Sequence, residues 1–445
     1  MRQLEYLIGK EAFKEGIQEY IKTYANSNAD WNELVSILDH KTDSDLKKWS
    51  NVWVHSSGRP IFSKAVQYDE KGKVAKFVIL QKSEDGSDKI WTQSFKIQMI
   101  DKKGNSESIN LQNMGKSFDI SEAVKDFKPV QILYNTNGFG YGVFPIYTDG
   151  INAYKSIQDE VSRGYQFINL YENMLLGEVS PKETYQVFLE AIQQEENELI
   201  TNYLANTIQT IFWTFLTENQ QNNIQKKTEN QLYTLLQKEL PANIKKTLFG
   251  LYESIAISEA GKENLYQIWK EQKKIKNLFL NENEFTSLAM SLVLFKHLKA
   301  VEIVQEQQAR ISNKDRLARF KWLLPSLSDD VIVRDYFMKS LLQKEHREKE
   351  AWVQAALSNL HHPLRQQASL KYLKSILEKL EEVQLTGDIF FPKGWLASSI
   401  GKYSSKEANA ILEQFLAENS NYNPILLKKL LQTTDNLMRA QNIKK

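Results

Sequence analysis

The hydrophobic period of this chain changes twice along its length, and that limits the folds open to it. Over 1–52 apolar residues recur at helical spacing: Met1, Leu4, Leu7 and Ile8 come first, then Phe13, Ile17, Tyr20, Ile21 and Tyr24 beyond Gly9. Side chains spaced i, i+3 and i+4 share one face, so these are helices that bury one side. Over about 53–149 the period falls to two. In WTQSFKIQM, Trp91, Phe95, Ile97 and Met99 point one way while Thr92, Ser94, Lys96 and Gln98 point the other, as in a strand with one buried face. KVAKFVILQ (73–81) and VQILY (130–134) are expected as further strands. DEKG (69–72), SEDGSD (83–88), DKKGN (101–105) and NTNG (135–138) lie between strands and supply turn residues. A small β-sandwich is expected over 53–149, followed by helices alone over 150–445.

Within the helical part, segment 284–311 carries apolar residues too densely for an exposed rod, so it is expected to pack on neighbours on both sides. Segments 319–342 and 350–377 look alike: a Trp-bearing helix, a polar or Pro-containing turn, then a second amphipathic helix. Placing Leu327 on Leu360 gives an offset of 33 residues, typical of helix pairs that stack to bury their faces. An all-α superhelix of HEAT-like helix pairs is expected, with Leu324, Leu327, Leu357 and Leu360 facing its core and Lys321 and Gln354 at the solvent edge.

Composition narrows the function. The 445 residues are 42% hydrophobic and 25% charged, with a formal net charge of +2 and acids and bases interspersed. At roughly 100–200 residues per domain the chain holds several domains, and it carries no broad basic footprint for nucleic acid. Lys273, Lys274 and Lys276 are expected to be a solvated helix face. With 0 cysteines there are no disulfides, thiolate metal ligands or cysteine nucleophiles. The longest apolar stretch, LAMSLVLF at 288–295, falls far short of the roughly 20 residues of a membrane-spanning helix. A soluble protein is expected, cytoplasmic or periplasmic.

The N-terminal residues carry a family resemblance. MRQLEYLIGKEAFKEGIQEYIKTYANSNADWNELVSILD (1–39), followed by WVHSSGRPIF (53–62), resembles the end of the catalytic domain in zinc aminopeptidases of the aminopeptidase N family. Phe13, Gly16, Tyr20, Tyr24, Asn28, Ala29, Leu34, Trp53, Gly58 and Pro60 fall in the matching places. ILYNTNGFGYGVFPIYTDG (132–150) is similar to a strand of that family, and DEVSRGYQFINL (159–170) to the helix that opens its C-terminal domain. More weakly, 356–395 and 421–441 resemble the helical domain of bacterial members. The resemblance implies three parts: catalytic-domain helices over 1–52, a β-sandwich over 53–149 and a helical superhelix over 150–445. It also implies a parent protein that uses zinc to remove N-terminal residues from peptides, and a superhelix whose concave side encloses the substrate chamber. Because Met1 already lies inside an amphipathic stripe, the chain is expected to be the back portion of that longer protein.

The family's zinc motif, H-E-x-x-H, is not in this sequence. The six histidines are His40, His55, His297, His346, His361 and His362, and none opens that spacing. Catalytic and metal residues are therefore expected to be none, the chain alone to be inactive and without a cofactor, and zinc to belong to the parent protein. Substrate-binding residues are not assigned by any motif. Expected partners are the missing N-terminal and catalytic domains and the parent's peptide substrate, with self-association possible through 1–52 and with neither nucleic acid nor membrane. The alternative is a free-standing helical scaffold for a peptide or protein partner.

Several constellations invite sharper readings. His361-His362-Pro363 has no third ligand at a recognisable spacing and is expected as local polar surface at a turn. Glu345-His346-Arg347-Glu348 is expected on an exposed helix face. GFGYG (138–142) follows a turn signal and precedes a strand, unlike phosphate loops that open helices, so a tight bend is expected. Phe390, Phe391 and Trp395 around Pro392 either plug the helical interior, the favoured reading, or present a surface to a peptide or another domain. Arg310, Arg316, Arg319 and Arg334 are expected in solvated ion pairs with Asp315, Asp329, Asp330 and Asp335 rather than on a peptide carboxylate.

Overall fold

A computed structural model describes residues 1–124, 127, 129–146 and 150–444. The end of the 132–150 motif and the expected boundary at 149 fall outside the described residues. Helix takes 61% of the chain and strand 11%, so the fold is mainly α with a small antiparallel β region, as the periods indicate. Two compact units, Met1–Met174 and Leu175–Lys445, make up the chain.

The first unit opens with α1 (Arg2–Ile8), α2 (Lys10–Thr23), α3 (Trp31–Asp39) and α4 (Leu46–Ser50). Their stripes meet in a core of Leu4, Leu34, Val35, Leu38, Leu46 and Trp49. Asp30 starts α3 by accepting from the Asn32 and Glu33 amides while the Glu33 side chain caps back, which satisfies amides that have no partner inside the helix. The strands are β1 (Pro60–Tyr68), β2 (Val74–Ser83), β3 (Gln93–Asp101), β4 (Ser106–Met114), β5 (Ser117–Asp119) and β6 (Pro129–Tyr134). They form two three-stranded antiparallel sheets, ordered β1-β2-β5 and β4-β3-β6. Phe77 and Ile79 of the first sheet and Phe95, Ile97 and Met99 of the second fill one core, as the alternation along β3 requires.

One residue breaks that alternation. Ser94 was expected to face water but is buried, because the Gln3 side chain of α1 bonds its backbone from both sides: Gln3 Nε2 donates to the Ser94 carbonyl at 2.7 Å and the Ser94 amide donates to Gln3 Oε1 at 2.8 Å. A helix lies over a strand face that the sequence pattern leaves to solvent. The GFGYG bend is as expected. Gly142 has φ +128°, and a Cβ there would come within 2.5 Å of the Pro60 carbonyl oxygen, so the close approach of 142 to β1 requires glycine. Helix α5 (Glu160–Leu175) anchors the segment after the bend, with Asn169 Oδ1 accepting from the Phe144 amide at 2.9 Å and Asn173 Nδ2 donating to the Phe144 carbonyl at 2.9 Å.

The second unit contains α6 (Pro181–Ala191), α7 (Glu198–Thr210), α8 (Glu218–Gln237), α9 (Ala242–Ile255), α10 (Glu259–Trp269), α11 (Glu282–Leu294), α12 (Ala300–Arg310), α13 (Lys314–Leu327), α14 (Val331–Leu341) and α15 (Glu350–Leu360). It ends with α16 (Gln366–Ser369), α17 (Leu373–Glu378), α18 (Leu380–Thr386), α19 (Phe391–Ser398), α20 (Lys406–Glu418) and α21 (Pro424–Ile443). Helices α7, α9, α11, α13, α15, α19 and α21 each pack on the next, and α21 returns to pack on 211–215 at the end of α7. The intervening helices α6, α8, α10, α12, α14, α18 and α20 flank this row as a second layer. Side-chain oxygens of Asn197, Thr217, Ser258, Asn281, Asn313, Asp330, Ser405 and Asn423 cap helix after helix, which is why the turns between them are so short.

The 33-residue offset is visible as contact. Ser326 of α13 accepts from Asn359 Nδ2 of α15 at 3.0 Å, across that separation in sequence. Leu327, Leu357 and Leu360 are core residues, Lys321 is exposed and Gln354 is half-buried, but Leu324 is only half-buried and Leu323 takes the core position beside it. Two expected helices are broken. Segment 284–311 ends its first helix at Phe295, turns at Lys296 with φ +59° and restarts as α12. The second helix of 350–377 is split into short turns and α16 and α17 after Pro363, which has no amide hydrogen to donate within a helix.

Candidate functional site

Three neighbouring inner helices present matching positions to one groove. Asn202, Asn206 and Gln209 of α7 are spaced i, i+4 and i+7, and so are Lys246, Gly250 and Glu253 of α9 and Ser287, Ser291 and Leu294 of α11. That spacing puts each set on one helix face. The groove they line has a volume of about 470 Å³, and His362 closes one side of it.

Polar contacts fix this surface. Thr247 Oγ1 donates to Asn202 Oδ1 at 2.6 Å and joins α9 to α7, and Ser291 Oγ donates to Glu253 Oε1 at 2.7 Å and joins α9 to α11. Lys246 is held by Glu284 at 2.6 Å. The His362 ring stands edge-on to Trp213 at 5.1 Å, with the Phe295 ring 6.0 Å away, and its Nδ1 accepts from the Leu364 amide at 3.3 Å. Burial pushes the His362 pKa down to about 3, with the charges of Lys402 and Arg365 adding to the shift, so the ring is neutral at physiological pH.

Glu253 stands out in this setting. Water in the groove reaches it, yet protein surrounds it on most sides, and this desolvation pushes its pKa up to about 7. The Ser291 and Ser287 hydroxyls oppose the shift, the Glu284 charge adds to it, and among the described residues no cation pairs with Glu253. A raised carboxyl pKa means the folded protein is stabilised at low pH and penalised as pH rises from the unfolded value through about 7. Glu253→Gln is therefore expected to gain stability over the wild type between pH 5 and 8. The gain is capped near 3 kcal/mol at about 1.4 kcal/mol per pKa unit, and water in the groove reduces it to about 1–2 kcal/mol. Lys246 on the same helix, Glu284 on α11 and His362 face this carboxyl and are present in both proteins, so their contributions are common to the two. Urea denaturation of the pair at the two pH values measures the gap; a gap that stays constant would refute the assignment.

Gly250 lies at the centre of the groove, inside α9. An added Cβ there would meet nothing within 4 Å, so the helix packing does not call for glycine. Mid-helix glycine costs about 0.5–1 kcal/mol relative to alanine.

The expected constellations fall elsewhere or take other roles. His361 is buried, its Nδ1 2.8 Å from the Tyr403 hydroxyl and its Nε2 without a partner among the described residues, and burial takes its pKa down to about 3. It is a core residue, not the surface polar group expected at that turn. Glu345, His346 and Glu348 are exposed, but Arg347 is buried, bonded to Glu382 and to the Leu342 carbonyl at 3.0 Å, because 344–346 is a single tight turn that sends it inward. Three of the arginines take other partners than the expected aspartate side chains: Arg310 pairs with Glu306 at 3.3 Å, Arg316 with Glu282 at 3.0 Å, and Arg334 binds the Ser328 and Asp329 carbonyls. Asp329 pairs with Lys296 instead, Asp335 with Lys371, and Asp330 caps α14. Lys273, Lys274 and Lys276 lie in the turn after α10 rather than on a helix, with Lys276 on Glu239 at 2.6 Å. The aromatic cluster divides, with Phe391 and Trp395 buried and Phe390 exposed.

Among the described residues no three His, Cys, Asp or Glu side chains gather to hold a metal ion. Nor, among the described residues, is any helix long and apolar enough to cross a membrane.

Comparison with known proteins places the chain beside aminopeptidases. No protein-family model matches it. It is 31% identical over 83 residues to aminopeptidase N of Streptomyces lividans, a match covering 19% of this chain and 10% of that protein. It is 21% identical over 218 residues to "Probable aminopeptidase 1" of Sulfurisphaera tokodaii, covering 48% of this chain and 26% of that protein. It is 20% identical over 230 residues to tricorn protease-interacting factor F2 of Thermoplasma volcanium, covering 47% and 28%. The chain thus spans between 10% and 28% of the length of these relatives. It is distantly related to aminopeptidases.

Proposed function

We propose that this chain is the non-catalytic, C-terminal portion of a zinc-dependent aminopeptidase that removes N-terminal residues from peptides. In this reading 1–52 are the last helices of the catalytic domain, 53–149 a β-sandwich and 150–445 a helical domain that encloses the substrate chamber and limits access to it. The observation that carries it is the match to aminopeptidases in a sequence that holds no H-E-x-x-H. Zinc and the general base would come from the domain that 1–52 completes. Tyr6 and Ile21 are exposed apolar residues on those helices, suited to a docking face or, in the free chain, to self-association.

The coding sequence upstream of Met1 tests this directly. An in-frame H-E-x-x-H with a downstream Glu supports the enzyme portion; an unrelated preceding gene refutes it. The purified chain is expected to hold no stoichiometric zinc and to release no chromophore from aminoacyl-p-nitroanilides; tightly bound zinc with chelator-sensitive turnover would overturn the non-catalytic assignment. A second reading, a free-standing scaffold for a peptide or protein partner, is favoured by one observation: every residue lining the groove described above lies within the helical unit.

A further inference from the structure

We propose that the groove across α7, α9 and α11 is a subsite for a cationic side chain, arginine or lysine, of an extended peptide, with Glu253 as its counter-ion and Gly250 as the place where the peptide main chain passes. The subsite rests on the reading that this unit meets peptides, and it applies to the enzyme portion and to the scaffold alike.

Charge comes first. Lys246 is neutralised by Glu284 and His362 is neutral, so the Glu253 carboxylate is the charge in the groove left without an opposite one. Its Oε1 accepts from Ser291, while Oε2 has no partner among the described residues and remains free to accept from a guanidinium or ammonium. Such charge-assisted bonds are the strong ones, and a partly desolvated carboxylate without a cation is a cost that a bound cation removes.

Shape points the same way. Leu251, Leu294 and Phe295 line part of the groove and offer an apolar strip to the methylene stem of a long basic side chain. Asn206 and Gln209 are exposed on the groove with no side-chain partner among the described residues. A primary amide carries both donor and acceptor, so the two match the alternating N–H and C=O of an extended peptide. The open space at Gly250 adds a further observation, because a glycine that packing does not require, at the middle of a binding surface, lets a ligand backbone come close.

The test is fluorescence anisotropy on the full chain with a labelled, end-blocked Gly/Ser decapeptide carrying one central arginine, against the same peptide with citrulline, which keeps the shape without the charge. The arginine peptide is expected to bind, and citrulline or Glu253→Gln is each expected to weaken it by about tenfold or more. Gly250→Leu should remove binding of both peptides by filling the groove. Arginine stays charged throughout, so its binding should tighten from pH 5.5 to 8.5 in the wild type and stay flat in Glu253→Gln, with Lys246, Glu284 and His362, which also face the groove, common to both proteins. Thermal melting checks each variant, and if one fails to fold, the arginine-to-citrulline comparison on the wild type decides. Equal binding of the two peptides would overturn the cation subsite while leaving the peptide reading intact. Failure of both to bind at about 1 mM would overturn the subsite and the peptide reading together.

Discussion

Replacing Trp395 by alanine is expected to destabilise the protein by about 3–5 kcal/mol, the range for a buried tryptophan whose cavity refills only in part. Trp395 is 0% exposed and sits among Phe391, Ile376, Leu377 and Leu396 in the core of the helical unit. Its Nε1 donates to the Ile376 carbonyl at 3.1 Å, and the Arg347 guanidinium lies 5.8 Å from its ring centroid. Truncation therefore also strips a buried carbonyl of its donor, a cost of about 1–3 kcal/mol that is already part of such measured losses. Phe390, in the same DIFFPKGW motif, is 78% exposed, and Phe390→Ala is expected to change stability by about 0.5 kcal/mol or less. Chemical denaturation of the two variants separates them. Similar losses would mean that α19 is seated with the wrong face inward.

That pair of aromatics also shows how far sequence reasoning reaches in this chain. The motif announces an aromatic cluster next to a proline, and Pro392 does lie in the first turn of α19, where its fixed φ and missing N–H are tolerated. Which ring goes inside depends on what α19 packs against, and its neighbours α15 and α21 are distant in sequence. The same division runs through the first unit. Alternation along β3 correctly orients Phe95, Ile97 and Met99, since a period of two is a local property of one strand, whereas Trp91 is buried but lies before β3 begins at Gln93. Ser94 breaks it because Gln3, far away in sequence, covers it.

The groove was less legible still. On α9 the positions of Lys246, Gly250 and Glu253 form a polar stripe at i, i+4 and i+7, and α7 repeats it with Asn202, Asn206 and Gln209. Periodicity cannot separate such stripes from an ordinary solvated face, because water and a ligand groove call for the same residues. Gly250 was the one local signal, a glycine within a helical pattern, and its meaning needed the empty space around it. Buried arginines escaped for a related reason: charged residues are placed outside by default, whereas Arg365 lies inside with its guanidinium on the Ser326 and Leu327 carbonyls at 2.6 and 2.7 Å, at the otherwise unsatisfied end of α13.

Those same contacts lie where the buried stripe of α13 departs from expectation, beside the second large effect. Leu357→Ala on α15 is expected to cost about 2–5 kcal/mol, because Leu357 is fully enclosed with Val353, Ala356 and Leu360 in the core. Its counterpart Leu324 on α13 should cost only about 1 kcal/mol, since a half-buried side chain gives up less contact and leaves a site that water can refill. On α13 the buried stripe runs through Phe320, Leu323, Ser326 and Leu327 instead. Ser326 is drawn inward by polar partners: its hydroxyl donates to the Leu323 carbonyl at 2.6 Å and accepts from Asn359, while its own carbonyl takes Arg365. The stripes of α13 and α15 coincide at Phe320 and Val353, Leu323 and Ala356, and Leu327 and Leu360; they differ in that α13 buries Ser326 and leaves Leu324 on the flank. Leu323→Ala should therefore resemble Leu357→Ala, and Leu324→Ala should not. Urea denaturation of the three variants decides it. If Leu324→Ala loses as much stability as Leu357→Ala, Leu324 lies in the core as Leu357 does, and the stripe through Ser326 is wrong.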